Sequence, residues 1–185
     1  MVLPPNSGMA EKFPLIWVES DVSYEKKLGV VVFDRDGTLI NDCGQHNDVS
    51  KIQFCKGALE AMRCLRELGF GIAIATNQSG IATKKFTTQQ LDYFHTFMQN
   101  EIRVAVGYPI DMIAICPHSK DDLCVCRKPG IGLLEVIEAT LCSKIQLFVG
   151  DSETDLQAAK KFGVQSILVK EGELLDQIMS WIRKT

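Results

Sequence analysis

From Gly29 onward the chain repeats one pattern: a short apolar run, a polar loop, then a longer stretch with apolar residues at helical spacing. The apolar runs are Val30 to Phe33, Phe70 to Ala75, Met112 to Ile115, Ile145 to Val149 and Ser166 to Val169. The intervening stretches are Gly57 to Leu68, with Leu59, Met62, Leu65 and Leu68 on one side and Gly69 as a stop, and Thr87 to Val106, opened by a threonine cap and carrying Leu91, Phe94, Phe97, Met98 and Ile102. Leu133 to Leu141, Thr154 to Phe162 closed by Gly163, and Leu174 to Ile182 complete the set. Strands separated by helices need crossover connections, and crossovers build a parallel sheet covered on both faces. The pattern predicts an α/β fold with a single doubly wound, mainly parallel sheet of about five or six strands, whose ligands gather beyond the carboxyl ends of the strands.

Each apolar run that matters ends in a polar cluster. Val30-Val31-Val32-Phe33 leads into Asp34-Arg35-Asp36-Gly37-Thr38, where Asp34 and Asp36 point to the same side of an extended backbone and Gly37 permits a turn. Thr76-Asn77-Gln78-Ser79-Gly80 follows the second run and offers a hydroxyl, amides and free backbone N–H groups. Arg127-Lys128-Pro129 supplies fixed positive charge before a helix, and Gly150-Asp151-Ser152-Glu153-Thr154-Asp155 adds carboxylates after the fourth run. Any one of these is an ordinary turn, basic pair or helix cap; four of them at strand ends in one chain describe a phosphate and magnesium site.

A chain of 185 residues with 46% hydrophobic content builds one core, so residues 28–185 are expected to form one domain behind an N-terminal extension, residues 1–27. The extension's apolar patch, Phe13-Pro14-Leu15-Ile16-Trp17-Val18, suits an extra edge strand or a docked tail. With 20 Lys+Arg against 23 Asp+Glu the net charge is -3, which offers no broad basic face to nucleic acid or anionic lipid. No apolar run is long enough to span a bilayer, and Pro4, Pro5 and Asn6 stand where a signal would be charged and then apolar, so a cytoplasmic monomer is expected. Seven cysteines, an odd number in a chain without an export signal, point to free thiols and a metal site instead of disulfides.

The four clusters resemble the motifs of the haloacid dehalogenase superfamily of phosphohydrolases, from about Gly29 to about Val169. The resemblance implies a Rossmann-like sheet without a separate cap domain, with Asp34 as the nucleophile that forms an aspartyl phosphate. It implies Asp36 as the acid that protonates the leaving oxygen and then the base that activates water. Mg²⁺ would be held by Asp34, the backbone carbonyl of Asp36 and Asp151; Thr76 and Lys128 would hold the phosphoryl oxygens; Asp155 would stand behind Lys128 or a metal-bound water.

The segment Cys116-Pro117-His118-Ser119-Lys120-Asp121-Asp122-Leu123-Cys124-Val125-Cys126 places three thiols and an imidazole in one short loop. Cys116, His118, Cys124 and Cys126 complete a closed tetrahedral set with no open position, so the zinc they predict is structural and anchors the loop bearing Arg127 and Lys128. This loop is similar to that of the zinc-containing branch formed by D-glycero-D-manno-heptose 1,7-bisphosphate 7-phosphatases and histidinol-phosphate phosphatases. Ser79, within Thr76 to Ala82 and followed by Lys85-Phe86-Thr87, looks more like the heptose enzymes. That resemblance implies a small phosphorylated sugar substrate from the synthesis of nucleotide-heptose for lipopolysaccharide or another surface glycan. It puts Asp42, Cys43, Gly44, Gln45, Asn77, Gln78 and Ser79 at the substrate and Arg127 at its distal part. The chain departs from the branch at Cys43-Gly44-Gln45, where His-Gly-Tyr is common, and at Ser152, where Lys is frequent.

The alternatives are histidine biosynthesis, a polynucleotide 3′-phosphatase, which the acidic charge and the lack of interleaved basic and aromatic residues oppose, and a non-catalytic zinc-stabilised binding module, which the retained Asp34 and Asp36 oppose. Cys55, Cys64 and Cys142 read as small core residues, Lys84-Lys85 as a solvated pair, and His46 and His95 have no partner that the sequence names.

Overall fold

A strand apolar at every position has no face left for water, and Val30, Val31, Val32 and Phe33 are all fully buried. The computed structural model describes residues 13–19, 28–42, 48–170 and 172–184. Its strands are β1 (Leu15–Val18), β2 (Val30–Phe33), β3 (Gly71–Asn77), β4 (Met112–Cys116), β5 (Ile145–Gly150) and β6 (Gln165–Leu168). Its helices are α1 (Ala58–Glu67), α2 (Thr88–Val106), α3 (Gly132–Leu141), α4 (Glu153–Phe162) and α5 (Leu174–Ile182).

The strands form one sheet in the order β1-β4-β3-β2-β5-β6. All neighbours from β4 to β6 pair in parallel, while β1 lies antiparallel on β4 with Leu15 opposite Ile115 and Trp17 opposite Ile113. The patch read as part of an N-terminal extension therefore supplies the sixth strand. β2 is the first parallel strand in the chain; β3 and β4 follow on one side of it, and β5 and β6 on the other. The order reverses at β2, which opens a crevice at the carboxyl end of that strand, where Asp34 stands.

Alternation along the strands divides the core into two layers. Val31 and Phe33 join Met62 and Leu65 of α1, Leu91, Phe94 and Met98 of α2 and Ile178 of α5 on one face. Val30 and Val32 join Leu133 and Ile137 of α3 and Ala158 of α4 on the other. Residue-level signals set the helix ends: Thr87 and Gln90 exchange side-chain and backbone hydrogen bonds (2.8 and 3.2 Å) in a capping box ahead of α2. Cys142, read as a core residue, is exposed, because it sits past the end of α3 with φ 46° and turns the chain out of the helix. Cys55 and Cys64 are half-buried, and Lys84 and Lys85 are exposed as expected.

Among the described residues, the β2–α1 connection holds one 3₁₀ turn at Val49–Lys51 and the β3–α2 connection holds no helix or strand. No helix of the described residues is long and apolar enough to cross a membrane.

Candidate active site

β2, β3 and β5 end side by side, and their carboxyl ends bring Asp34, Thr76 and Asp151 together. Oδ1 of Asp34 accepts from the Arg35 backbone N–H (2.7 Å) and pairs with Lys128 Nζ (2.8 Å). Oδ2 of Asp34 has no partner among the described residues. Lys128 is buried; its ammonium also forms an ion pair with Asp155 Oδ1 (2.6 Å) and donates to the Ala75 carbonyl (2.8 Å). Burial works against that charge, but Asp34 and Asp155 together outweigh it and hold the Lys128 pKa above the ordinary lysine value. Burial also raises the pKa of Asp34 to about 6, opposed by Lys128 and reinforced by the charges of Asp155 and Asp36.

The second acid is held differently. Asp36 Oδ2 accepts from Arg35 NH2 (2.9 Å) and Gln78 Nε2 (2.8 Å), and the Arg35 Nε–H is shared between its two oxygens. Arg35 is buried, with NH1 3.0 Å from His95 Nε2 and its guanidinium carbon 4.7 Å from the centre of the Phe94 ring. Burial, then the Arg35 charge, lowers the His95 pKa well below the usual value, so the ring is neutral and Nε2 accepts from Arg35.

Asp34, Asp151 and Asp155 place carboxylate oxygens within 4.8 Å of one another. Asp155 is engaged by Lys128 and by the Ser152 backbone and hydroxyl, so Asp34 and Asp151 are the pair with oxygens to offer a cation. Partial desolvation and then the nearby Asp155 charge raise the Asp151 pKa, opposed by Lys128. A Cβ on Gly37, whose φ is +75°, would lie 2.1 Å from Asp151 Oδ2. Only glycine lets the turn after Asp36 approach Asp151 so closely.

In the loop after β4, Cys116 Sγ lies 3.5 Å from His118 Nδ1 and 3.6 Å from Cys124 Sγ; Cys126 Sγ lies 3.2 Å from His118 Nδ1 and 3.6 Å from Cys124 Sγ. A tetrahedral ion at about 2.3 Å from sulfur and about 2.05 Å from nitrogen sets sulfurs about 3.8 Å apart and sulfur to nitrogen about 3.5 Å. The four donors thus stand at coordination spacing. Hydrogen bonding with Cys126 pulls the Cys116 thiol down to about 5, and the same contact pushes Cys126 up. Arg127 NH1 donates to the His118 carbonyl (3.0 Å), which ties the loop to the residue beside Lys128.

The substrate residues expected from sequence divide. Arg127 lines a cleft of about 330 Å³ with Asn77, Lys120, Leu123 and Lys128, and Asp42 lines a larger one of about 880 Å³ with Lys56, Asp151 and Lys170. The amides of Asn77 and Gln78 also make contacts within the protein. Asn77 bonds both the N–H (3.0 Å) and the carbonyl (3.2 Å) of Lys128, and Gln78 bridges Asp36 and Thr76 Oγ1 (2.9 Å). Ser79 is half-buried at the same turn; Cys43, Gly44 and Gln45 lie outside the described residues. Sequence reasoning missed Arg35 and His95. The signal was the odd placement of an arginine between two aspartates just past an apolar strand and of a histidine next to Phe94 on the apolar side of α2.

The chain matches the model of the polynucleotide kinase 3 phosphatase family over residues 29–165. The histidine biosynthesis bifunctional protein HisB of Buchnera aphidicola is 35% identical over 159 residues, which are 84% of this chain but 43% of that protein, so the chain spans less than half the length of such relatives. The D-glycero-beta-D-manno-heptose-1,7-bisphosphate 7-phosphatase of Neisseria meningitidis is 37% identical over 147 residues, 78% of either chain. The crystal structure of D,D-heptose 1,7-bisphosphate phosphatase from B. bronchiseptica, complexed with magnesium and phosphate, superposes with a TM-score of 0.72 at 31% identity, covering 83% of this chain and 87% of that one. The family match runs from just before β2 to the start of β6 and so takes in Asp34, Asp36, Thr76, Lys128, Asp151 and Asp155; the chain belongs to the polynucleotide kinase 3 phosphatase family.

Proposed function

We propose that this protein is a magnesium-dependent phosphatase that removes the 7-phosphate of D-glycero-D-manno-heptose 1,7-bisphosphate, working as a cytoplasmic monomer in nucleotide-heptose synthesis. The carrying observation is the Asp34–Lys128–Asp155 array: one carboxylate with a free oxygen, fixed by a buried ammonium, at the point where the strand order reverses. Asp34 Oδ2 attacks phosphorus and the bond to the sugar oxygen breaks, while Asp36 delivers a proton to that oxygen. Asp36 then takes a proton from water, whose oxygen attacks the aspartyl phosphate and releases inorganic phosphate. Lys128 and Thr76 hold the phosphoryl oxygens. Asp34, Asp151 and the Asp36 carbonyl would hold Mg²⁺, which when bound offsets the repulsion between carboxylate and phosphate. Cys116, His118, Cys124 and Cys126 would hold a structural Zn²⁺.

The heptose substrate is supported by the 37% identity to a protein so named, matched along 78% of its length, and by Arg127 in the cleft beside Lys128, where a second phosphate has a cation to meet. Histidinol phosphate is the second reading, favoured by the 35% identity to the HisB protein. Phosphate release from the two compounds, measured side by side with Mg²⁺, tests the choice. Faster turnover of the bisphosphate, lost in Asp34→Asn, is the expected result; faster turnover of histidinol phosphate overturns the substrate, and activity surviving Asp34→Asn overturns the mechanism.

A further inference from the structure

Asp36 must begin turnover with a proton and later take one from water, so the oxygen that carries the proton has to face the reacting centre every time. Its surroundings are unequal. Oδ2 receives Arg35 NH2 at 2.9 Å and Gln78 Nε2 at 2.8 Å, whereas Oδ1 receives only a share of the Arg35 Nε–H, at 3.1 Å against 3.2 Å to Oδ2. An oxygen already accepting two full hydrogen bonds is a poor place for a proton. We propose that Arg35 and His95 are a buried positioning pair that keeps Oδ2 of Asp36 saturated and leaves Oδ1 as the oxygen that exchanges the catalytic proton. The inference rests on the acid and base role given to Asp36 above.

The pair is built for a fixed orientation. Arg35 is 1% exposed and His95 1% exposed, so neither reaches water. The guanidinium's third nitrogen is held at 3.0 Å by His95 Nε2, and its plane is backed by Phe94, both from α2 on the face of the sheet opposite α3 and α4. A lysine in place of Arg35 would carry the charge without the fork that meets both carboxylate oxygens. Neutral His95 matters because it accepts; a group without an acceptor there would leave the Arg35 NH1 donors unmet in the core.

The test separates positioning of an acid from general damage. A sugar oxygen leaves only if protonated, whereas the aryl oxide of p-nitrophenyl phosphate leaves without help, and kcat/KM reports the steps through formation of the aspartyl phosphate. Arg35→Lys should cut kcat/KM on the bisphosphate about 100-fold and on p-nitrophenyl phosphate less than about fivefold. His95→Leu should show the same split in weaker form, and His95→Gln, which keeps an acceptor, should restore the sugar substrate. Should Arg35→Lys not fold, the two His95 variants carry the test. Equal losses on both substrates, or no loss on either, overturn the pair's role. Asp36→Asn is run in parallel: if it shows no split, the acid assignment itself falls, and the positioning pair with it.

Discussion

Lys128 lies two residues after Cys126, yet the centre around Asp34 and the loop of residues 116–126 are held by opposite means. Asp34, Thr76 and Asp151 sit at or just beyond strand ends, where parallel backbone pairing fixes their positions before any side chain is considered. Between Cys116 and Gly132 there is no helix or strand, and what gathers the loop is a set of three sulfurs and one ring nitrogen, together with Asn77 gripping the Lys128 backbone. A sheet delivers a side chain to a point through its own hydrogen bonds. A loop that must push a lysine into the same point needs a cross-link.

That contrast can be broken in several places. Asp34→Asn should lower turnover by at least about 10⁴-fold, because no other described carboxylate has a free oxygen in the same place, and should leave metal content in the cysteine loop unchanged by elemental analysis. Lys128→Met should cost about 3–5 kcal/mol in urea unfolding, since it leaves Asp34 and Asp155 as buried charges without their partner. Cys124→Ser should lose the zinc proposed for this loop and about 2–3 kcal/mol, seen as a melting temperature lower by roughly 5–10 °C, while circular dichroism still reports the helices and sheet. If the ion is lost with no change in stability or turnover, the loop is held by Asn77 and Arg127 alone and the contrast dissolves.

Acidity sharpens it further. Asp34 is raised from 3.8 to about 6, so between those values the folded chain binds a proton that the unfolded chain has released. Stability of the metal-free protein should therefore fall as pH rises from about 4 to about 6, and Mg²⁺, which needs the ionised carboxylate, should bind about tenfold less tightly for each pH unit below 6 in calorimetry. The smallest effect belongs to Lys84, whose side chain is exposed: Lys84→Ala should change stability by no more than about 0.5 kcal/mol and leave turnover within about twofold.

Much of this was legible in the chain. Thr87 followed by Gln90 marked the start of α2, and the full apolar run at Val30 marked a central strand, because caps and burial act over a few residues. Local signals failed where a residue's partner lies far off in sequence. Arg35 meets His95 across 60 positions, Asn77 meets Lys128 across 51, and neither contact leaves a trace in spacing. For the same reason the polar turn at Asn77 and Gln78 gave no sign that Asn77 would also grip the Lys128 backbone and Gln78 bridge Asp36 and Thr76. Cys142 read as core because a cysteine outside the metal-binding cluster is by default a small buried residue, although its left-handed backbone past the end of α3 leaves it exposed.

By itself the sequence determined the layered α/β plan, the strand ends where polar clusters gather, and the Cys/His donor set of residues 116–126, since each follows from residue types at short spacing. Only the tertiary structure decided that β1 closes the edge beside β4, that Lys128 stands between Asp34 and Asp155, and that a buried arginine grips Asp36. Those are choices among distant partners, made when two layers of core pack against one sheet and desolvate the charges, and no local pattern records which partner each charge will find.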